Sequence, residues 1–185
     1  MARPKLYLFD LDSTLAVKWK PELLPGRVEE LEGLEQPAAI VTNQGGVHAR
    51  YGLEQRGEME RAAGYPTVET VLKRLTQITR QLPAIERAYV ALYVGHDGYP
   101  LPPQRGDVVQ NLETGVVVRM AWDPAWRKPA GGMLRQACCD FGVALDEALM
   151  FGDRDDDRDA ARNANVRYVP VDEAAWEAGF LEIGD

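Results

Sequence analysis

Three polar clusters stand out because each directly follows a short apolar run. Asp10-Leu11-Asp12-Ser13-Thr14 follows residues 6–9, Thr42-Asn43-Gln44-Gly45-Gly46 follows residues 38–41, and Gly152-Asp153-Arg154-Asp155-Asp156-Asp157 follows residues 148–151. A basic pair, Arg127-Lys128, stands before Pro129. If Asp10, Asp12 and Asp153 meet, each pair of charges at ~4 Å repels by about 4 kcal/mol at an effective dielectric of 20. Such a cluster requires a cation, a lysine or raised carboxyl pKa values. Oxygen ligands without histidine or cysteine select a hard metal, so Mg²⁺ is expected. A carboxylate-held metal with open positions attracts a phosphate, whose remaining oxygens suit Lys128, Thr42 and the N–H groups of the Gly-rich turn. Two aspartates one residue apart divide the labour. One carboxylate attacks phosphorus while the other protonates the leaving oxygen and later activates water.

The elements that must position these groups are legible in the apolar periodicity. Residues 6–9, 38–41, 88–94 and 148–151 form continuous apolar runs, the pattern of strands buried on both faces of a parallel sheet, and residues 167–171 read as a fifth strand. Between them, residues 22–34 follow helical spacing. Residues 67–82 do so most clearly, with Val68, Val71, Leu72, Leu75, Ile78 and Leu82 on one face between Pro66 and Pro83. Residues 130–141 predict a helix stopped by Gly142, and residues 155–163 another. The expected fold is α/β: a Rossmann-like parallel five-stranded sheet with helices on both faces, its ligands outside the carboxyl ends of the strands. Residues 95–126, rich in glycine and proline around the alternating stretch 115–120, read as an irregular insert holding one hairpin. The whole chain, 1–185, is expected to be a single domain.

Composition narrows the function classes. The chain is 45% hydrophobic and 27% charged, as in ordinary globular proteins. Lys plus Arg number 21 and Asp plus Glu 29, giving 21 − 29 = −8. That surface repels extended polyanions and leaves a small anionic substrate as the expected partner. The two cysteines, Cys138 and Cys139, are sequence neighbours and do not suit a disulfide. No run reaches 18 apolar residues, so no membrane span is expected and the cytoplasm is the expected compartment. His48 and His96 read as structural or surface residues.

In this order the segments resemble the haloacid dehalogenase superfamily of phosphohydrolases. LYLFDLDSTL over 6–15 matches its apolar strand followed by D-x-D-x-T, VTNQGG over 41–46 its second motif, Arg127-Lys128-Pro129 its third, and FGDRDDDRDAA over 151–161 its fourth. The resemblance spans residues 5–171 and is greatest to the branch containing histidinol phosphatase, heptose-bisphosphate phosphatase and the polynucleotide 3′-phosphatases. It implies an aspartyl-phosphate formed on Asp10, with Asp12 as general acid/base whose backbone carbonyl also meets the metal. Thr42, helped by Asn43, would bind the transferring phosphoryl group. Lys128 would neutralise nucleophile and phosphate, and Arg127 would reach the substrate. Asp10, Asp12 and Asp153 would hold Mg²⁺, with Asp157 in support one helical turn beyond Asp153. Ser13 stands where many members have glycine, and Asn165 replaces the glycine before the last strand. The cysteines of zinc-loop relatives are missing before Arg127, so no zinc is expected. The short first insertion implies no large cap domain and an open site.

Hydrolysis of a small phosphomonoester is therefore the leading expectation. A 3′-phosphatase acting on nucleic-acid ends is the alternative, supported by the branch and by Trp122 and Trp126 beside Arg119 and Arg127. Those tryptophans read first as a hydrophobic lid and second as a stacking platform. A third reading, a catalytically inactive phosphate-binding module, is opposed by the intact Asp10, Asp12, Lys128 and Asp153.

Overall fold

The computed structural model describes residues 3–94, 99–102 and 107–171. The element order is β1 (Leu6–Phe9), α1 (Arg27–Glu32), β2 (Ala38–Asn43), α2 (Gly46–Gln55), α3 (Met59–Ala62), α4 (Val68–Thr79), β3 (Ile85–Ala91), β4 (Val108–Asn111), β5 (Val117–Ala121), α5 (Gly132–Phe141), β6 (Ala148–Gly152), α6 (Asp155–Ala164) and β7 (Arg167–Pro170). All strands lie in one sheet of order β4-β5-β3-β2-β1-β6-β7. Every neighbouring pair is parallel except β4 with β5.

Strand alternation explains the layering. On β1, Tyr7 and Phe9 pack with Leu75, Ile78 and Leu31 on one face, while Leu6 and Leu8 pack with Met133, Leu134, Ala160 and Ala161 on the other. The sheet is thus covered by α1 and α4 on one side and by α5 and α6 on the other. Each fully buried Leu or Ile of these layers contributes roughly 1.5–3 kcal/mol. Thr67 caps α4 by accepting from Thr70 N–H at 3.1 Å, and Gly142 ends α5 in the left-handed conformation (φ 65°).

The sheet has seven strands rather than the five expected. The two additional strands come from the segment read as an irregular insert. β5 buries Val118, Met120 and Ala121 and pairs parallel with β3, while β4 folds back on β5 with all four residues exposed. An exposed edge strand lacks the continuous apolar run that announces a central one, so its place in the sheet was not visible. Helix α2 was also missed. It packs through small residues: a Cβ at Gly52 would lie 2.0 Å from the Tyr99 ring, so no stripe of large apolar residues marks it. The helix expected over 22–34 is confined to α1, and the one expected from residue 130 begins at Gly132. Between β1 and β2 the chain holds two isolated bridges and α1, with no cap layer among the described residues. No helix among the described residues is long and apolar enough to cross a membrane.

Candidate active site

The parallel strands β1, β2 and β6 all end on the same edge, so the polar residues that follow them converge. Asp10 leaves β1 with its N–H donating to Phe151 O at 2.9 Å, and the chain then turns sharply at Ser13. Ser13 has φ 66°. The position requires a left-handed backbone, which is why glycine is common there and why serine bears a strain of about 1–2 kcal/mol. Asn165, at φ 60° after α6, accepts the same conformation more readily.

Lys128 is the electrostatic centre. Its ammonium is 2% exposed and contacts Asp10 Oδ1, Asp157 Oδ1 at 2.5 Å and Val41 O at 3.0 Å. Asn43 holds the lysine backbone from both sides, accepting from Lys128 N–H and donating to Lys128 O, each at 3.0 Å. Burial pushes the Asp10 carboxyl up to about 7; Lys128 opposes that rise and Asp157 adds to it. Burial disfavours the Lys128 charge, but Asp10 and Asp157 outweigh it and hold its pKa above the usual lysine value. Asp153 is raised by partial burial and then by Asp157.

One carboxylate oxygen from each of Asp10, Asp153 and Asp157 lies within 4.8 Å of the others. Counted as ions with Lys128, the group carries −3 + 1 = −2, the complement of one divalent cation. The donor set is oxygen only, which fits a hard divalent ion such as Mg²⁺, with the Asp157 carboxylate standing where that of Asp12 is expected from the sequence. Asp157 was expected one step back from the metal, and its bonds explain how it supports the site. Oδ1 meets Lys128, while Oδ2 accepts from Arg154 N–H at 3.1 Å. It approaches so closely that a Cβ on Gly152 would lie 2.5 Å from it. Thr14 Oγ1 reaches Asp153 Oδ1 at 3.5 Å.

The Asp12 carboxylate turns away from the three-aspartate cluster. Its Oδ1 accepts from Trp19 N–H at 3.0 Å and from Arg74 Nη2 at 2.7 Å, and its Oδ2 accepts from Gln44 Nε2 at 3.3 Å. Gln44 also donates to Thr42 Oγ1 at 3.0 Å, tying the β2 turn to the β1 turn. Neither Gln44 nor Arg74 was singled out from the sequence. Gln44 lies inside a cluster that was recognised, so its motif carried a signal. Arg74 carried none, being one polar residue on an amphipathic helix.

A cavity of about 570 Å³ opens onto these groups. Its inner wall includes Asp10, Asp12, Thr42, Asn43, Lys128 and Asp157, and its mouth includes Lys18, Trp19, Tyr65, Tyr99, Arg127 and Arg154. Arg127 donates to Tyr93 O at 3.1 Å. At Gly45 any Cβ would sit 2.8 Å from Val94 Cα, so the Gly-rich turn lies close against the end of the β3 segment. The tryptophans beside Arg127 form no lid. Trp126 is core, packed against Tyr89, and Trp122 lies edge-on to His48. Arg119 is engaged by Asp140 and Asp107 away from the cavity. His48 is fully buried and structural: it bonds Pro100 O at 3.0 Å and accepts from Val94 N–H at 3.3 Å. His96 lies outside the described residues.

A HAD-hydrolase-like family model matches residues 125–176. A curated relative, the D-glycero-D-manno-heptose-1,7-bisphosphate 7-phosphatase of Thermosynechococcus vestitus, is 46% identical over 59 residues, 32% of this chain and 30% of its own length. The chain therefore aligns with under a third of that relative. Over these segments the chain is similar to HAD-like hydrolases. Solved structures share its fold across nearly all of the chain. The D,D-heptose 1,7-bisphosphate phosphatase of B. bronchiseptica, complexed with magnesium and phosphate, superposes with a TM-score of 0.61 at 20% identity over 89% of this chain and 78% of that one. A structure from Mesorhizobium loti, described as a HAD-like phosphatase, gives 0.57 at 18% identity over 99% and 88%. In this chain Asp10, Thr42, Lys128 and Asp153 stand at the ends of strands or just before α5, where the four motifs lead one to look.

Proposed function

We propose that this protein is a phosphomonoester phosphatase, a single catalytic domain without a large cap, that works through an aspartyl-phosphate on Asp10. The observation that carries this reading is the buried pairing of Asp10 with Lys128 inside a cluster of net charge −2, at the floor of a cavity of small-molecule size. Asp10 attacks phosphorus as the bond from phosphorus to the leaving oxygen breaks. Asp12 donates a proton to that oxygen. Water then attacks the phosphoryl group, Asp12 takes its proton, and Asp10 is released with inorganic phosphate. The proton transfers are worth roughly 10²–10⁴ in rate. Lys128 holds Asp10 ionised and meets the phosphoryl charge, Thr42 and the N–H groups after it bind phosphoryl oxygens, and Arg127 reaches the substrate from the mouth. Asn43 serves the phosphoryl site by positioning Lys128.

Mg²⁺ would be held by Asp10, Asp153 and the backbone carbonyl of Asp12, with Asp157 in support, and it supplies neutralisation of phosphoryl charge. The substrate is a small phosphomonoester, and phosphorylated sugars are the first class to try, since the curated relative is a heptose-bisphosphate phosphatase. The net charge of −8 disfavours a nucleic-acid end. The free thiols Cys138 and Cys139 suit a reducing cytoplasm.

The test is a screen of small phosphate esters and a 3′-phosphorylated oligonucleotide, with Mg²⁺ and with EDTA. Mg²⁺-dependent release of phosphate from the small esters, abolished in Asp10→Asn, is expected. Turnover unaffected by EDTA, or surviving in Asp10→Asn, would overturn the reading.

A further inference from the structure

Arg74 projects from α4 into the base of the rim loop that carries Lys18 and Trp19. It makes three bonds there: Nε donates to Lys20 O at 2.8 Å, Nη2 to Val17 O at 3.2 Å, and the same Nη2 to Asp12 Oδ1 at 2.7 Å. The residues it joins are otherwise remote from α4 in sequence, and both charges of the ion pair are largely withdrawn from water, at 11% exposure for Arg74 and 17% for Asp12. An ion pair this sheltered is poorly screened, unlike the surface pairs of the same protein.

The loop itself is shaped to be held. Val17 to Lys20 is a turn closed by Lys20 N–H donating to Val17 O at 2.9 Å. Trp19 occupies its third position at φ 65°, where such turns ordinarily recruit glycine. Trp19 N–H donates to the same Asp12 oxygen that Arg74 grips. The Trp19 indole is 59% exposed at the cavity mouth. A large apolar side chain in a strained turn has its geometry set from outside the turn, and Arg74 with Asp12 is what sets it.

We infer that Arg74 is a positioning residue that latches the Val17–Lys20 rim to the Asp12 carboxylate, so that the mouth of the cavity and the acid/base group move as one unit. This rests on the phosphatase reading for its kinetic consequence, but the latch itself is independent of that reading. Arg74 touches no reacting atom. It holds Asp12 in one rotamer, with Oδ1 committed to Arg74 and Trp19 and with Oδ2, which has only the long bond to Gln44, left for the leaving oxygen. Its remaining donor, Nη1, is buried and meets no partner among the described residues, so the guanidinium stays in place through the bonds just named.

Two measurements on Arg74→Met and Arg74→Lys test the latch. In limited trypsinolysis of the native protein, cleavage after Lys18 is expected to accelerate about 10-fold or more in Arg74→Met, roughly the opening expected from losing ~1.4 kcal/mol of local stability. Cleavage after Arg135 and Arg158 serves as the control and stays unchanged. Equal acceleration at all sites, or none at Lys18, overturns the latch. In single turnovers with Mg²⁺, Arg74→Met is expected to slow release of a poor leaving group such as an alkyl alcohol by roughly 10²-fold, the cost of a misplaced acid. Release of 2,4-dinitrophenol, which needs no proton, should change little. Equal slowing of both substrates overturns the coupling to Asp12. Arg74→Lys should recover part of the alkyl phosphate rate while leaving the loop open, because one ammonium reaches Asp12 without bridging Val17 and Lys20; recovery of both properties overturns the bridging role. A wild-type enzyme that hydrolyses neither ester would count against the phosphatase reading, while the proteolysis result would still decide the latch.

Discussion

Replacing Asp10 with asparagine should stabilise the metal-free protein while silencing it. In the wild type, Lys128 is shared by two buried carboxylates, Asp10 and Asp157, which leaves one uncompensated negative charge under water-excluding packing. Burial raises the Asp10 carboxyl from 3.8 to about 7. A raised carboxyl favours the protonated folded state, so its contribution to stability is complete below 3.8 and is lost as pH rises through about 7. Each tenfold change in the ionisation equilibrium corresponds to about 1.4 kcal/mol, so the ionised group costs the fold at most about 4 kcal/mol above neutrality. Asparagine removes that charge and leaves a neutral Lys128–Asp157 pair, but it gives up a charge-assisted bond to Lys128 worth about 1.5–3 kcal/mol. A net gain of about 2 kcal/mol at about pH 8.5 follows, or a Tm higher by about 4–8 °C. At about pH 5.5 the wild-type carboxyl is itself mostly protonated and the two proteins should melt within ~2 °C of each other. The assay is thermal unfolding of both proteins across pH in EDTA. Saturating Mg²⁺ should then close or reverse the gap by stabilising the wild type, by about 2.7 kcal/mol at a hundredfold excess over Kd. A difference that does not grow with pH, or a less stable Asp10→Asn at about pH 8.5, would refute the assignment of an uncompensated buried charge.

Asp12→Asn should lower kcat by roughly 10²–10⁴ while KM stays within a few-fold, because the carboxylate acts on protons and not on binding; steady-state kinetics with a small phosphate ester will show it, and an unchanged kcat would contradict the role. Lys128→Met leaves Asp10 and Asp157 buried without their counter-ion and should cost roughly 3–5 kcal/mol by urea unfolding at neutral pH. In Lys128→Met that loss should shrink on acidification, as the buried Asp10 carboxyl, without the lysine that lowers its pKa, takes up a proton. His48, held neutral by burial with its pKa below the ordinary 6.5, contributes stability that is present above 6.5 and lost as pH falls through its depressed value. The urea midpoint of the wild type should therefore fall on acidification more steeply than that of His48→Gln, and parallel pH profiles would show that the imidazole is not the cause.

The convergence of the candidate site residues was legible in the sequence because each cluster is local. A carboxylate pair at i and i+2 directly after an apolar run has its geometry dictated by one strand end, and the same holds for Thr42 on β2 and Asp153 just after β6. Parallel strands carry their ends to one edge, so three local readings sufficed to predict one site. The Ser13 and Asn165 substitutions were legible for the same reason, since a left-handed turn is a property of a few consecutive residues. What only the tertiary structure decided are the pairings made across long separations without a period to announce them. Arg74 meets Asp12 over 62 residues and Asn43 meets Lys128 over 85. β5 and its partner β4 became sheet rather than insert because β3 offered an open edge, while Trp126 became core because a layer of α5 and β3 residues closed around it. Residue type limits which groups can ionise, coordinate or pack; which of them share a buried charge depends on the distance and exclusion of water that folding alone creates.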